Sequence, residues 1–236
     1  MPTMKKSRYI LLTLLLCTFA SMQAQIPASS QRYVPKAVDL GLPSGTLWAD
    51  RNMGIVEKPT EFGVYFSWGN IYSSNEAVPE KEQRTFSWQT YKYGKGPKSL
   101  TKYCTDSKFG TKDGKTQLDL SDDAAAAYAK NHQVPFWDAQ WHIPTAKEFE
   151  ELIEKCKWTW TNNGYQVTGP NGKSIFLPAA GMSGHNLPYI GQYWTSTLCA
   201  DFPCYAYAVI FGDDFITWNN SSRCSGCSIR PVRSKK

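Results

Sequence analysis

Hydrophobic residues follow helical spacing most clearly at Phe149, Leu152, Ile153 and Cys156, which fall at i, i+3, i+4 and i+7 and form one apolar stripe. Thr145-Ala-Lys-Glu148 just ahead of the stripe is a capping box, and Pro144 keeps the helix from starting earlier. Ser121 is placed to cap a second helix, Asp122 to Lys130, with paired acidic residues at its start and an alanine run behind them. Elsewhere the pattern is one of short strands. Two strand-like runs flank the Pro43-Ser44-Gly45 turn between Ala37 and Ala49, and Phe62 to Gly69 is a third candidate. Trp158 to Trp160, Tyr165 to Thr168 and Ser174 to Leu177 are separated by Asn162-Asn163-Gly164 and Gly169-Pro-Asn-Gly172, as in a meander. After the small-residue loop Pro178 to Gly184 come four more strands: Tyr193 to Thr197, Tyr205 to Phe211, Phe215 to Trp218 and Ser228 to Val232. The stretch from Asn70 to Leu120 is turn-rich, and its aromatics Phe86, Trp88, Tyr91, Tyr93, Tyr103 and Phe109 are expected to pin it. Helices in the middle and antiparallel strands late make an α+β domain.

The chain has 236 residues. Lys5, Lys6 and Arg8 precede the apolar run Tyr9 to Ala20, which reads as a secretory signal ending near Ala24, too short for a membrane-spanning helix. Leu16 is not the small residue that a lipoprotein reading of Cys17 would want. Residues 25–36 read as a linker, 37–233 as one domain and 234–236 as a basic tail. The leader carries three of the 26 Lys+Arg, against 20 Asp+Glu, so cleavage takes the net charge from +6 to +3. With no run of like charges there is no electrostatic footprint for nucleic acid, and no second apolar stretch suggests membrane insertion after cleavage. Export to the periplasm, the outer cell surface or the medium is expected. Export permits disulfides, and the six mature cysteines, Cys104, Cys156, Cys199, Cys204, Cys224 and Cys227, can pair completely in fifteen ways among which spacing does not choose.

The closing segment has its own alphabet. Between Thr195 and Arg233 there is no Lys, Glu, Gln or Met, while aromatics, β-branched residues, Asp, Asn, Ser and four cysteines are frequent. Strands and turns favour such residues in general.

Trp141-His-Ile-Pro-Thr-Ala-Lys-Glu-Phe-Glu-Glu-Leu152 resembles the tryptophan-x-x-proline-threonine-x-x-glutamate stretch of formylglycine-generating-enzyme-like and C-type-lectin-like domains. Together with Val38 to Trp48, Phe176 to Gly181, Tyr193 to Thr197 and Ser228 to Val232, it is similar to the Fibrobacter succinogenes major paralogous domain family. The resemblance implies a C-type-lectin-type fold, with terminal strands close together and late strands displaying a binding face. Such folds also host the variable proteins of diversity-generating retroelements. An asparagine codon ending in a pyrimidine and randomised at its two adenines gives Asn, Ser, Thr, Tyr, Cys, Asp, Gly, Phe, Arg and several others, but never Lys, Glu, Gln, Met or Trp. The missing residues of the closing segment fit that rule, with Trp194 and Trp218 as fixed scaffold.

Enzymatic relatives of this fold oxidise a cysteine, using two thiols around copper or a substrate thiol. Cys224-Ser-Gly-Cys227 has redox or metal spacing, but a zinc site would need two more ligands, and Cys199 and Cys204 are loosely spaced for that. His132, His142 and His185 share no motif with a nucleophile and are expected to be structural. Trp218-Asn219-Asn220 faintly resembles a calcium-binding lectin stretch but lacks its carboxylate. No cofactor, metal or catalytic residue is therefore expected. The candidate ligand-binding residues are Cys199, Asp201, Phe202, Cys204, Tyr205, Asp213, Asp214, Phe215, Asn219, Asn220, Arg223 and Cys224, a mix of rigid rings and short polar groups typical of paratopes. The expected partner is a protein or glycan. A cysteine-dependent oxidase and a structural envelope protein are the alternatives.

Overall fold

A computed structural model of the chain describes residues 34–72, 86–127, 137, 140–183 and 185–235. The expected leader and most of the linker lie outside the described residues, as do His132 and the second half of the helix expected from Asp122 to Lys130. The architecture is α+β, built on three small antiparallel sheets: β1 (Ala37–Asp39), β2 (Leu47–Ala49) and β9 (Val232–Arg233); β3 (Lys157–Thr161), β4 (Gly164–Thr168) and β5 (Ser174–Pro178); and β6 (Gly191–Leu198), β7 (Tyr205–Phe211) and β8 (Ile216–Ser222). Trp48 pairs with Val232, so β2 joins the last strand and brings the two ends of the domain into one sheet.

Helix α1 (Ala146–Lys155) starts where the capping box places it: Thr145 accepts from the Glu148 N–H, and Glu148 accepts from the Thr145 N–H in return. Its Phe149 and Leu152 are buried, and Trp48 meets Phe149 edge-on at 5.0 Å. The helical turn at 124–127 is capped two residues later than the sequence suggests. Asp123, not Ser121, accepts the N–H groups of Ala125 and Ala126, at 2.9 and 3.2 Å. Ser121 is exposed, while Asp123 is buried and also accepts from the Ile143 N–H at 2.8 Å. The buried carboxylate thus ties this turn to the entry of α1.

The β3–β5 meander and β7 form where the hydrophobic pattern puts them. Phe62 to Gly69 does not become a strand; only Phe66 bridges, to Cys227. Gly63 explains this, because it adopts φ +75° with Met53 O so close that a Cβ would sit 2.3 Å from it. The end of the chain is likewise strand only at Val232 and Arg233.

The β6–β7–β8 sheet divides two cores. Trp194, Ala206 and Ala208 point into a core with Trp68, Tyr91, Tyr93 and Tyr103. Tyr193, Val209 and Phe211, on the other face, meet Tyr165, Val167, Ile175 and Leu177 of the meander and Phe149 and Leu152 of α1. The irregular segment 86–123 is pinned as its aromatics suggest, by edge-on contacts running from Trp88 through Tyr91, Tyr93 and Tyr103 to Trp68. No helix among the described residues is long and apolar enough to cross a membrane.

Candidate functional site

In an antiparallel pair, residues directly opposite share a face. Tyr205 opposes Ser222, Tyr207 opposes Asn220 and Val209 opposes Trp218, so Tyr205, Tyr207, Trp218 and Asn220 share the face that carries Tyr193 and Val209. Tyr193 and Val209 are covered by the core that includes α1. The covering stops short of the outer positions: Tyr205 and Trp218 stay 39% and 38% accessible, and Asn220 is exposed. Trp218 meets Tyr207 edge-on at 6.3 Å, which fixes both rings. Next to Tyr205, the β6–β7 loop presents Asp201 and Phe202, the latter 55% accessible.

That loop is held rigidly. Phe202 N–H donates to Cys199 O, Tyr205 N–H to Phe202 O and Cys199 N–H to Tyr205 O, at 2.9 to 3.2 Å. Thr105 hydroxyl donates to Ala200 O at 2.5 Å and Arg223 Nη1 to Pro203 O at 2.9 Å. A rigid loop loses less entropy on binding, which suits a recognition surface.

The candidate residues do not all come together. Asp213, Asp214 and Phe215 are exposed on the β7–β8 turn, closed by Gly212 N–H to Phe215 O at 3.0 Å. The length of β7, about 20 Å at some 3.4 Å per residue, separates them from Phe202 and Tyr205. Asn219 faces the opposite side of the sheet from Asn220 and donates to the Ser221 hydroxyl at 3.1 Å, so the two asparagines do not converge on a cation.

Four expected display residues are corrected by burial: Arg223 is 0% accessible, and Cys199, Cys204 and Cys224 are also buried. Arg223 lies inward because its donors are needed there: Nε donates to Tyr91 Oη, Nη1 to Tyr103 O and Pro203 O, and Nη2 to Lys102 O, at 2.9 to 3.0 Å. Its guanidinium also lies 4.9 Å from the Trp68 ring centre. Cys204 joins Leu100 and Cys104 in a small apolar cluster. Cys224 and Cys227 are buried in the aromatic core, and burial pushes both thiols up, Cys227 the more so. Trp218 is corrected the other way. Taken from sequence as scaffold, it stands at the surface because β8 is the edge of its sheet.

Among the described residues no group of three or more His, Cys, Asp or Glu side chains is arranged to hold a metal. His142 does structural work there: its Nε2 lies 3.2 Å from Glu148 Oε1 of the capping box. No family model, curated protein or solved structure matches the chain.

Proposed function

We propose that this chain is an exported recognition protein with a C-type-lectin-like fold, binding a protein or glycan through the open outer part of the β6–β7–β8 sheet. The observation that carries the reading is that Tyr205, Tyr207 and Trp218 share a sheet face and that two of these rings stay well exposed, with Phe202 and Asp201 on a pinned loop beside them. Trp and Tyr are enriched among the residues that carry most of the binding energy at interfaces, and rigid rings with short polar neighbours recur in paratopes. The pairing of β2 with the last strand and the capped helix α1 packed with the meander support this fold reading.

The cysteine-oxidase alternative has less behind it. Catalytic thiols need an accessible, electropositive setting that favours thiolate, whereas Cys224 and Cys227 are buried and their thiols are pushed up. Adenine-directed diversification remains compatible with the exposed Asp201, Phe202, Tyr205 and Asn220, all residues that a randomised asparagine codon can give. A neighbouring repeat of the closing stretch that differs only at template adenines would support it, and one that differs at all four bases would sink it. The recognition reading is tested by probing glycan and protein arrays with the wild-type chain and with Trp218→Ala. Signals lost in the variant support it, and equal signals from both proteins oppose it.

A further inference from the structure

Among the described residues no strand pairs with the outer edge of β8. Two bonds fix which main-chain groups of β8 face β7: Gly212 N–H donates to Phe215 O, and Arg223 N–H donates to Cys204 O. Hydrogen-bonded and non-hydrogen-bonded pairs alternate along an antiparallel ladder. With an unbroken register from Tyr205–Ser222 to Phe211–Ile216, Thr217, Asn219 and Ser221 bond to β7. Ile216, Trp218 and Asn220 therefore turn their N–H and C=O groups away from it, on a strand that no other described strand joins.

Natural sheet edges are usually protected by charge, proline, a bulge or short length. The edge strand Ile216-Thr-Trp-Asn-Asn-Ser-Ser222 has none of these protections: it is seven residues long, uncharged and regular.

We infer that β8 pairs antiparallel with β8 of a second copy of this chain, about a two-fold axis at Asn219, joining the two three-stranded sheets into one of six strands. The strand is its own complement in that register. Trp218 lies opposite Asn220 of the second copy, and both are residues whose main-chain groups point outward, so each such pair exchanges both N–H···O=C bonds and the axis repeats it. Thr217 falls opposite Ser221 of the second copy, and Asn219 opposite Asn219 of the second copy, small polar partners on one face. No charged side chain in the strand meets its own kind across the axis, the condition a two-fold edge pairing must satisfy. Pairing by the edge leaves the face with Tyr205 and Tyr207 open, so the dimer presents two recognition surfaces on one sheet, and this holds whatever those surfaces bind.

The test is charge placement at the axis, read by sedimentation velocity of the full mature chain at micromolar concentrations. The wild type is expected to be a dimer. Asn219→Lys and Asn219→Asp each set like charges opposite one another and are expected to sediment as monomers, while an equimolar mixture of the two returns to dimer. A wild type that stays monomeric, variants that stay dimeric, or a mixture that fails to reassociate each overturn the proposal. Asn220→Pro is an independent check, because it removes an N–H that points away from β7 and so spares the β7–β8 ladder. It is expected to be monomeric with the wild-type circular dichroism spectrum, and a native-like dimer of this variant also overturns the proposal.

Discussion

Arg223 donates its Nε–H to the hydroxyl of Tyr91, 132 positions earlier in the chain, at 2.9 Å, and the Tyr91 hydroxyl donates in turn to Trp68 O at 2.8 Å. This buried cation takes only neutral acceptors: one hydroxyl and three main-chain carbonyls. It fastens the aromatic segment around Tyr91 and Tyr103 to the end of β8 and to the loop that carries Phe202. The face that carries Tyr205 and Trp218 is therefore built on a buried guanidinium placed inside the closing segment itself.

Removing that cation should be costly. Arg223→Ala leaves several buried acceptors without donors and a void among rings, and a loss of about 3–5 kcal/mol is expected in urea unfolding. Arg223→Lys should recover only part of this, because an ammonium cannot reproduce the planar fork that reaches Tyr91, Tyr103, Pro203 and Lys102. Full recovery by lysine would mean that charge, not fork geometry, sets the site.

Gly169 is not among the glycines with left-handed φ, yet a Cβ there would stand 2.0 Å from Leu40 O, a main-chain atom that cannot step aside. Gly169→Ala is expected to destabilise the fold by about 1–3 kcal/mol through this overpacking. A thermal melt unchanged from wild type would show that the β1–β4 approach is looser than described.

Acid sensitivity should centre on Asp122. Burial alone would raise its carboxyl, but hydrogen bonds from Lys102, Tyr93, Lys92 and Tyr103 outweigh burial and hold it well below the usual carboxylate range. A depressed native value means that the stabilisation is present above the unfolded value, about 3.9, and is lost as pH falls from about 4 towards the native one. Asp122→Asn should cost about 1.5–3 kcal/mol at neutral pH, the scale of lost hydrogen bonds to a charge, and should flatten the fall in stability below pH 4. Urea titrations at pH 3, 5 and 7 would reveal both effects.

Much of this architecture was readable in the sequence, and the parts that were not share a cause. Thr145 and Glu148 announce the helix start because a capping box is local, and Tyr205 to Phe211 reads as a strand because its alternation is local too. Asp201, Phe202, Asp213, Asp214 and Phe215 are exposed, as turn residues flanking strands should be. The burial of Arg223 and Cys204 is not legible locally, because what buries them, Tyr103, Lys102 and Leu100, comes from about a hundred residues upstream. Trp218 reads as scaffold because a strand tryptophan is usually covered, and whether a strand lies at an edge is a property of the sheet. Ser121 lost the cap to Asp123 because Asp123 alone also reaches Ile143 N–H.

The buried thiols separate binding from oxidase chemistry. Native protein treated with iodoacetamide at pH 8 should leave Cys224 and Cys227 unmodified, since both are buried and burial disfavours their thiolates. Fast alkylation of either one, read by peptide mass spectrometry, would return the oxidase reading to first place.

The most direct measurement compares the wild type with Tyr205→Ala/Trp218→Ala on the same glycan and protein arrays, followed by titration of the strongest hit. These side chains stand at the surface, so the double variant should keep its fold, with a stability change of about 1 kcal/mol or less. Its affinity for that ligand should fall at least about thirtyfold, the mark of aromatic anchors at the centre of an interface. A folded double variant that binds the ligand as tightly as the wild type would contradict recognition through this face.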